Sequence, residues 1–158
     1  MSKRHGEEAW IEDLNSIWKS TAEPFIVAIK EKNNIVGMSL VFKSGDTFSL
    51  SRLGLLEGKD VYRRHGVIGA LYYFAMLEAK KMGCRYFDLG GTRPFLSDGL
   101  TKFKKGLGAE FNTYDGVRNE VYLWLGINEK SEKAKEFLRK NPFIHITNDY
   151  KVVTNYQT

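Results

Sequence analysis

The sequence predicts an α/β domain, a single mixed β-sheet with helices on both faces. Three observations predict it. Three β-rich runs follow one another between residues 24 and 56 with tight connections, an apolar-striped stretch fills about 65–82, and another strand follows at once. Strand, crossover helix and strand in one sheet place the strands before and after the helix side by side and parallel, which makes an otherwise antiparallel sheet mixed.

In chain order, residues 7–20, EEAWIEDLNSIWKS, set Trp10, Leu14, Ile17 and Trp18 at helical spacing, an amphipathic helix. PFIVAIK (24–30) and IVGMSLVFK (35–43) flank the turn signal EKNN, and SGDT leads into FSLSRLGLL (48–56), giving a meander. The long helix runs from about His65 to Met82. Ile68, Leu71, Tyr72, Ala75, Ala79 and Met82 share one face, which Phe74 and Leu77 widen. KKMG supplies the cations and glycine of a helix end. CRYFDL (84–89) is the next strand, with Cys84, Tyr86 and Asp88 on one side and Arg85, Phe87 and Leu89 on the other.

SDGLTKFKKGLG (97–108) is a short helix capped by Ser97 or Asp98 and closed by Gly106 or Gly108. Leu100, Phe103 and Leu107 anchor it, with Lys102, Lys104 and Lys105 around its flanks. AEFNTY and NEVYLWLGI surround Asp115-Gly116, a hairpin signal. SEKAKEFLRKN (131–141) is a helix capped by Ser131, and FIHIT and YKVVTNY supply terminal strands.

The 158 residues, 42% hydrophobic and 27% charged, suit one globular domain over 1–158. The three prolines are scattered and form no linker. No apolar run approaches a membrane span, and the amino-terminal MSKRHGEEAW has no apolar signal core. The single cysteine, Cys84, has no internal partner, so a reducing cytoplasm is expected. A formal charge of +5 suits a polyanionic ligand, a phosphorylated cofactor or RNA. His5, His65 and His145 show no metal-site spacing, and Trp10, Trp18 and Trp124 read as core or interface anchors.

Two segments carry chemistry. Along EGKDVYRRHGVIGA (57–70), a helix start offers unpaired amides to phosphate, Gly66 and Gly69 let backbone approach, and Lys59, Arg63 and Arg64 add charge. Solvated arginines with glycines serving helix–sheet packing fit the same residues, and both readings stay open. In CRYFDLGGTRPFLSDGLTKFKKGLGAEF (84–111), Asp88 ends a parallel strand, where α/β sheets place their ligand crevice, and Gly90 and Gly91 free the backbone to turn. Lys104 borders the helix's buried stripe and could reach that crevice. Here too a plain alternative stands: Asp88 pairs with a lysine or caps the loop, and the lysines form a solvated face.

The run Glu78-Ala79-Lys80-Lys81-Met82-Gly83, Phe87-Asp88-Leu89-Gly90-Gly91, Gly99-Leu100, Phe103-Lys104-Lys105-Gly106 and Gly108 resembles the FemAB-type acyltransferases of the GNAT superfamily. The order of elements from residue 7 to about 126 is similar to a GNAT domain; the motif itself fills about forty residues. The resemblance implies acyl or aminoacyl transfer to an amine on a small molecule, peptide or amino sugar. It implies an acyl-CoA or acetyl-CoA donor lying across a splayed opening between the family's fourth and fifth strands. Its pyrophosphate would rest on Arg63, Arg64, His65, Gly66, Val67, Ile68, Gly69 and Ala70, and Gly90, Gly91, Thr92 and Arg93 would line the substrate crevice. Lys104 would stabilise the oxyanion. Glu57 or Asp88 would take the amine's proton, and Tyr114 would protonate the leaving group. The family's loop signature has a small residue where this chain has Ile68, with Gly69 one place late, so aminoacyl-tRNA is the alternative donor. A non-catalytic module of the same fold is the other alternative, and the sequence leaves a homodimer open.

Overall fold

In the computed structural model, the described residues are 19, 22–111, 128, 130–146 and 152–154. The helix expected over 7–20 and the hairpin around residues 115–116, with Tyr114 and Trp124, lie outside them. The chain divides into two compact units, Met1–Gly90 and Gly91–Thr158, and each is described by itself.

The first unit is a mixed sheet in the order β1 (Glu23–Glu31), β2 (Asn34–Ser44), β3 (Thr47–Leu55), β4 (Tyr86–Asp88). The first three strands are antiparallel and joined by two-residue turns, with Lys32 (φ 54°) and Gly45 (φ 59°) in the left-handed region. β4 pairs with β3 in parallel over Thr47–Tyr86, Phe48–Phe87 and Ser49–Asp88. The Asp46 carbonyl in the second turn accepts the Arg85 and Tyr86 amides at 2.8 and 3.2 Å and so sets where β4 begins. The chain crosses over through a 3-10 turn (Leu56–Gly58), a short α1 (Asp60–Arg64) and the long α2 (Val67–Lys81).

Two bulges tune the sheet. Val36 is an extra residue in β2 and Ser51 in β3. An extra residue reverses which side chains face inward. Thus Phe48 and Leu50 face α2 before the bulge, and Leu53 and Leu55 after it. The core has two adjoining parts. Val41 and Phe48 meet Ala75 and Ala79, with the Phe25 and Phe87 rings 5.6 and 6.0 Å from Phe48, while Val36 meets Val67 and Leu71. One aromatic ring at the centre of such a contact contributes on the order of 1 kcal/mol beyond its area.

Several expectations need correction. The long helix starts at Val67, not His65, because Gly66 adopts φ 78° and breaks it from α1. Phe74 does not widen the buried face. It is 46% exposed, edge-on to Tyr73 at 5.3 Å, and Met82 is also exposed. The strand after the helix is Tyr86–Asp88 alone. Cys84 belongs to the helix's closing turn, where Gly83 (φ 73°) donates to the Lys80 carbonyl and Cys84 to the Ala79 carbonyl. That 6→1 and 5→2 pair is a Schellman closure, and it turns Cys84 toward the core beside Phe87 instead of alternating with it. Among the described residues α2 covers one face of the sheet; helices on both faces are not seen. No described helix is long and apolar enough to cross a membrane.

The second unit holds α3 (Gly99–Gly106), α4 (Glu132–Lys140) and an antiparallel pair, β5 (Ile144–Ile146) with β6 (Val152–Thr154). Asp98 caps α3 and Ser131 caps α4, the latter accepting from the Ala134 amide at 3.4 Å. Pro94 and Pro142 carbonyls accept the Ile144 and Leu96 amides, which ties the loop before α3 to the start of β5. Phe95 meets Phe137 of α4 edge-on at 6.2 Å.

Candidate functional site

In the first unit the place expected for a crevice is marked by a difference in strand length. β4 stops at Asp88, whereas β3 runs on from Ser49 to Leu55, so the parallel pair ends and β3 continues without that neighbour. The Ser51 bulge sits two residues past the last pair and adds local twist. α2 starts beyond the same carboxyl end of β3. Its first-turn amides, Val67, Ile68 and Gly69, have no acceptor within the helix, while the Ala70 amide already bonds the Gly66 carbonyl at 2.9 Å. Arg63, Arg64, His65 and Gly66 are exposed on this turn, and Arg63 lies 3.4 Å from Asp60.

Of the two readings open for the glycines of this turn, helix–sheet packing is not the one their surroundings support. Gly66 is required by its positive φ, and neither it nor Gly69 has a described atom within 4 Å of a built Cβ. The glycine that permits close packing is Gly37 on β2, whose built Cβ would stand 2.5 Å from Val67 Cγ1. A glycine inside a strand pattern, between Val36 and Met38, was the available signal of close approach.

Glu57 lies in the 3-10 turn with φ 52°, fully on the surface, and forms an ion pair with Lys59 at 2.5 Å. The hydrogen bond and charge of Lys59 hold its carboxyl below the ordinary carboxylate range, and Lys59 is correspondingly raised. A lowered carboxylate is a weaker base, so Glu57 is less suited to take an amine's proton than position alone implied. Asp88 is half-buried, and its Oδ1 accepts the Gly90 amide at 2.7 Å, with Gly90 at φ 72°. Its carboxylate therefore caps the turn that follows the strand.

In the second unit, Lys104 is 7% exposed and its Nζ donates to the Gly91 carbonyl at 2.5 Å. This revises the expected helix face. Leu100 points outward at 46% exposure, whereas Thr101 and Lys104 are buried. Hydrogen bonding makes that burial tolerable. Thr101 Oγ1 donates to the Arg93 carbonyl at 3.0 Å and meets Thr92 Oγ1 at 2.6 Å. Asp98 Oδ1 accepts the Leu100 and Thr101 amides, and its Oδ2 lies 3.6 Å from the exposed Arg93 guanidinium. Gly91, Thr92 and Arg93 are thus latched onto α3 by Asp98, Thr101 and Lys104. The helix ends in a second Schellman closure, with Gly108 (φ 86°) donating to Lys105 and Ala109 to Lys104. Asp98 and Thr101 were not among the expected site residues. Their spacing from Lys104, at i, i+3 and i+6, was the signal that could have found them.

The structure therefore brings together Lys104 with Gly91–Arg93 in one unit, and Asp88 with Gly90 in the other; Glu57 has only Lys59 as its ionic partner among the described residues. Tyr114 lies outside the described residues. No group of three or more His, Cys, Asp and Glu side chains is gathered as for a metal among the described residues. No family model, curated protein or solved structure matches this chain.

Proposed function

We propose that the protein is an acyltransferase that moves an acyl group from an activated donor, acyl-CoA, to an amine acceptor. One observation carries the reading: β3 outruns its parallel partner β4, and the crossover helix α2 begins at a glycine turn beyond that same end. A planar thioester or ester can lie along the edge of β3 past its last pair with β4, taking backbone hydrogen bonds that β4 no longer takes. The donor's phosphates then meet the Val67–Gly69 amides and the positive end of the α2 dipole, with Arg63 and Arg64 adding charge. In the reaction a neutral amine attacks the acyl carbonyl, the tetrahedral oxyanion collapses, and the thiol leaves with the proton that the amine gave up.

Lys104 keeps a role in this reading, now with two parts. Its buried ammonium holds the Gly91 carbonyl, and it carries positive charge to the Gly91–Arg93 loop. Replacing it with alanine should lower turnover more than it weakens donor binding, and an equally active variant would remove the role. Asp88 is assigned to shaping the turn at Gly90, not to proton transfer.

The test is a thermal shift with CoA and acetyl-CoA. Donor at about a hundred times its dissociation constant adds about 2.7 kcal/mol, or about 5–10 °C in a chain of this size. No shift would count against the CoA donor. Ile68 in the phosphate turn and the +5 charge favour a second donor, aminoacyl-tRNA. That reading expects tRNA binding that weakens steeply with salt, and undetectable or salt-insensitive binding would remove it.

A further inference from the structure

The face of the sheet turned away from α2 carries a groove of about 540 Å³, within the size range of small-molecule sites. Its bed is apolar: Ile26 is 54% exposed and Ile35 and Met38 are 42% exposed, beside Leu40. Arg52 is the one charged residue among those that line it, and its guanidinium turns back to donate to the Ser51 carbonyl at 3.0 Å. The wall on the β3 side is residues 52–56, the same stretch that runs past the last pair with β4, Ser49–Asp88. The groove therefore adjoins the edge along which the donor thioester lies in the acyl-transfer reading. Gly54 stands at that border, paired with Met38. Its backbone is outside the left-handed region, and a built Cβ would meet no described atom within 4 Å, so neither conformation nor packing demands a glycine there. What the missing side chain leaves is a gap between the edge of β3 and the groove.

We infer that the donor's acyl group is a medium-length fatty chain, which crosses at Gly54 and lies in this groove. The inference rests on the acyl-transfer reading and gives its substrate class. A thioester that takes the hydrogen bonds β4 no longer takes lies near the plane of the sheet, where strand hydrogen bonds lie. Its acyl carbons must then turn toward one face or the other. On the α2 side the space is filled, since Leu53 and Leu55 pack there against Val67 and Leu71. On the other side the chain meets Gly54, which has no side chain, then Met38, then Ile26. From β3 to β1 is two strand spacings, about 10 Å, which an extended chain gaining about 1.2 Å per bond covers in about eight carbons. An acetyl group would leave this bed unfilled. A polar acyl group would lose water among Ile26, Met38 and Leu40 without gaining partners. A second copy of this chain would need no gap at Gly54, and continuity with the donor edge selects the acyl chain over it.

The experiment is isothermal titration of the full chain with CoA, acetyl-CoA and octanoyl-CoA. A fully buried methylene is worth about fourfold in affinity, and one in a groove open on one side about twofold, so octanoyl-CoA should bind at least about thirtyfold more tightly than acetyl-CoA. Met38→Glu sets a charge on the bed and Gly54→Leu closes the gap, and each should bring that ratio to about threefold or less. Met38 is exposed and Gly54 has room for a side chain, so both variants should fold, which circular dichroism checks; if one does not, the other decides. Equal affinities for the two thioesters would overturn the inference while leaving the acyl-transfer reading in place, and that result is expected if another element or a second copy occupies the groove. A preference that survives in either folded variant would place the chain elsewhere and also overturn it. Binding of none of the three would remove the CoA donor and this inference with it.

Discussion

Replacing Gly37 with alanine tests what seats the start of α2 on the sheet. The added Cβ would stand 2.5 Å from Val67 Cγ1, 3.3 Å from Leu71 Cδ1 and 3.4 Å from Leu55 Cδ2. Carbon atoms rest at about 3.5–4.0 Å, so Val67 must retreat by about 1 Å. It has little freedom to do so. A β-branched side chain in a helix has one strongly preferred rotamer, and both Val67 and Leu71 are buried. Overpacking of this kind costs about 1–3 kcal/mol, and the stiffer unfolded chain of alanine returns about 0.4–1 kcal/mol. The net expectation is a loss of about 1–2 kcal/mol, read as a lower urea midpoint with unchanged slope. Val67→Ala removes the obstructing Cγ1, so the double variant should be more stable than the sum of the single changes by about 1 kcal/mol. A neutral Gly37→Ala, or additive single and double variants, would refute the claim that this contact sets the helix against β2.

Other substitutions test the second unit and the core. Lys104→Met keeps the stem but leaves the Gly91 carbonyl without its ammonium, and should cost about 1.5–3 kcal/mol in a chemical melt; an unchanged midpoint would mean that the contact is not formed in solution. Asp98→Ala removes the cap that accepts the Leu100 and Thr101 amides and should cost about 0.5–2 kcal/mol, with Asp98→Asn recovering most of it. Burial raises the Tyr72 hydroxyl above its ordinary pKa, so its contribution to stability is complete below the unfolded-state value near pH ~10 and fades as pH rises through the folded-state value. Urea midpoints measured toward alkaline pH should therefore fall less steeply for Tyr72→Phe than for the natural chain, and identical slopes would contradict the assignment.

Much of the first unit was legible because its signals are periodic and local. The runs at 24–30, 35–43 and 48–56 became β1, β2 and β3, and the apolar stripe through Leu71, Tyr72, Ala75 and Ala79 is the buried face of α2. Gly83 ended that helix as expected. What escaped was decided between elements. Val36 and Ser51 are ordinary strand residues by type, and only the register against a neighbouring strand makes them bulges. Gly37 became informative only once Val67 lay above it.

The candidate site was less legible than the fold. Hydrophobicity placed Leu100 inward and Lys104 on a flank, because a pattern of apolar residues assigns no value to a buried hydrogen bond. The carbonyls of Gly91 and Arg93 reverse that order by offering acceptors to Lys104 and Thr101. Asp88 was correctly singled out as the residue at the end of the parallel strand, and of the uses considered for it the turn at Gly90 is the one its hydrogen bond supports.

The bulge in β3 has a consequence for how this chain can vary. Since Phe48 and Leu50 face the core on one side of Ser51 and Leu53 and Leu55 on the other, Ser51 itself stands outside the inward–outward alternation. Serine could give way to most side chains with little effect. Deleting it would make Val41–Leu50 and Leu40–Arg52 successive pairs and leave Leu50, Arg52 and Leu53 alternating without a break, so the leucines would stay on the core side and only the extra twist beyond β4 would go. An insertion elsewhere in β3, with no bulge to absorb it, would instead turn Leu53 and Leu55 outward. Chains that share this architecture can therefore differ by one residue at this point and keep the same core.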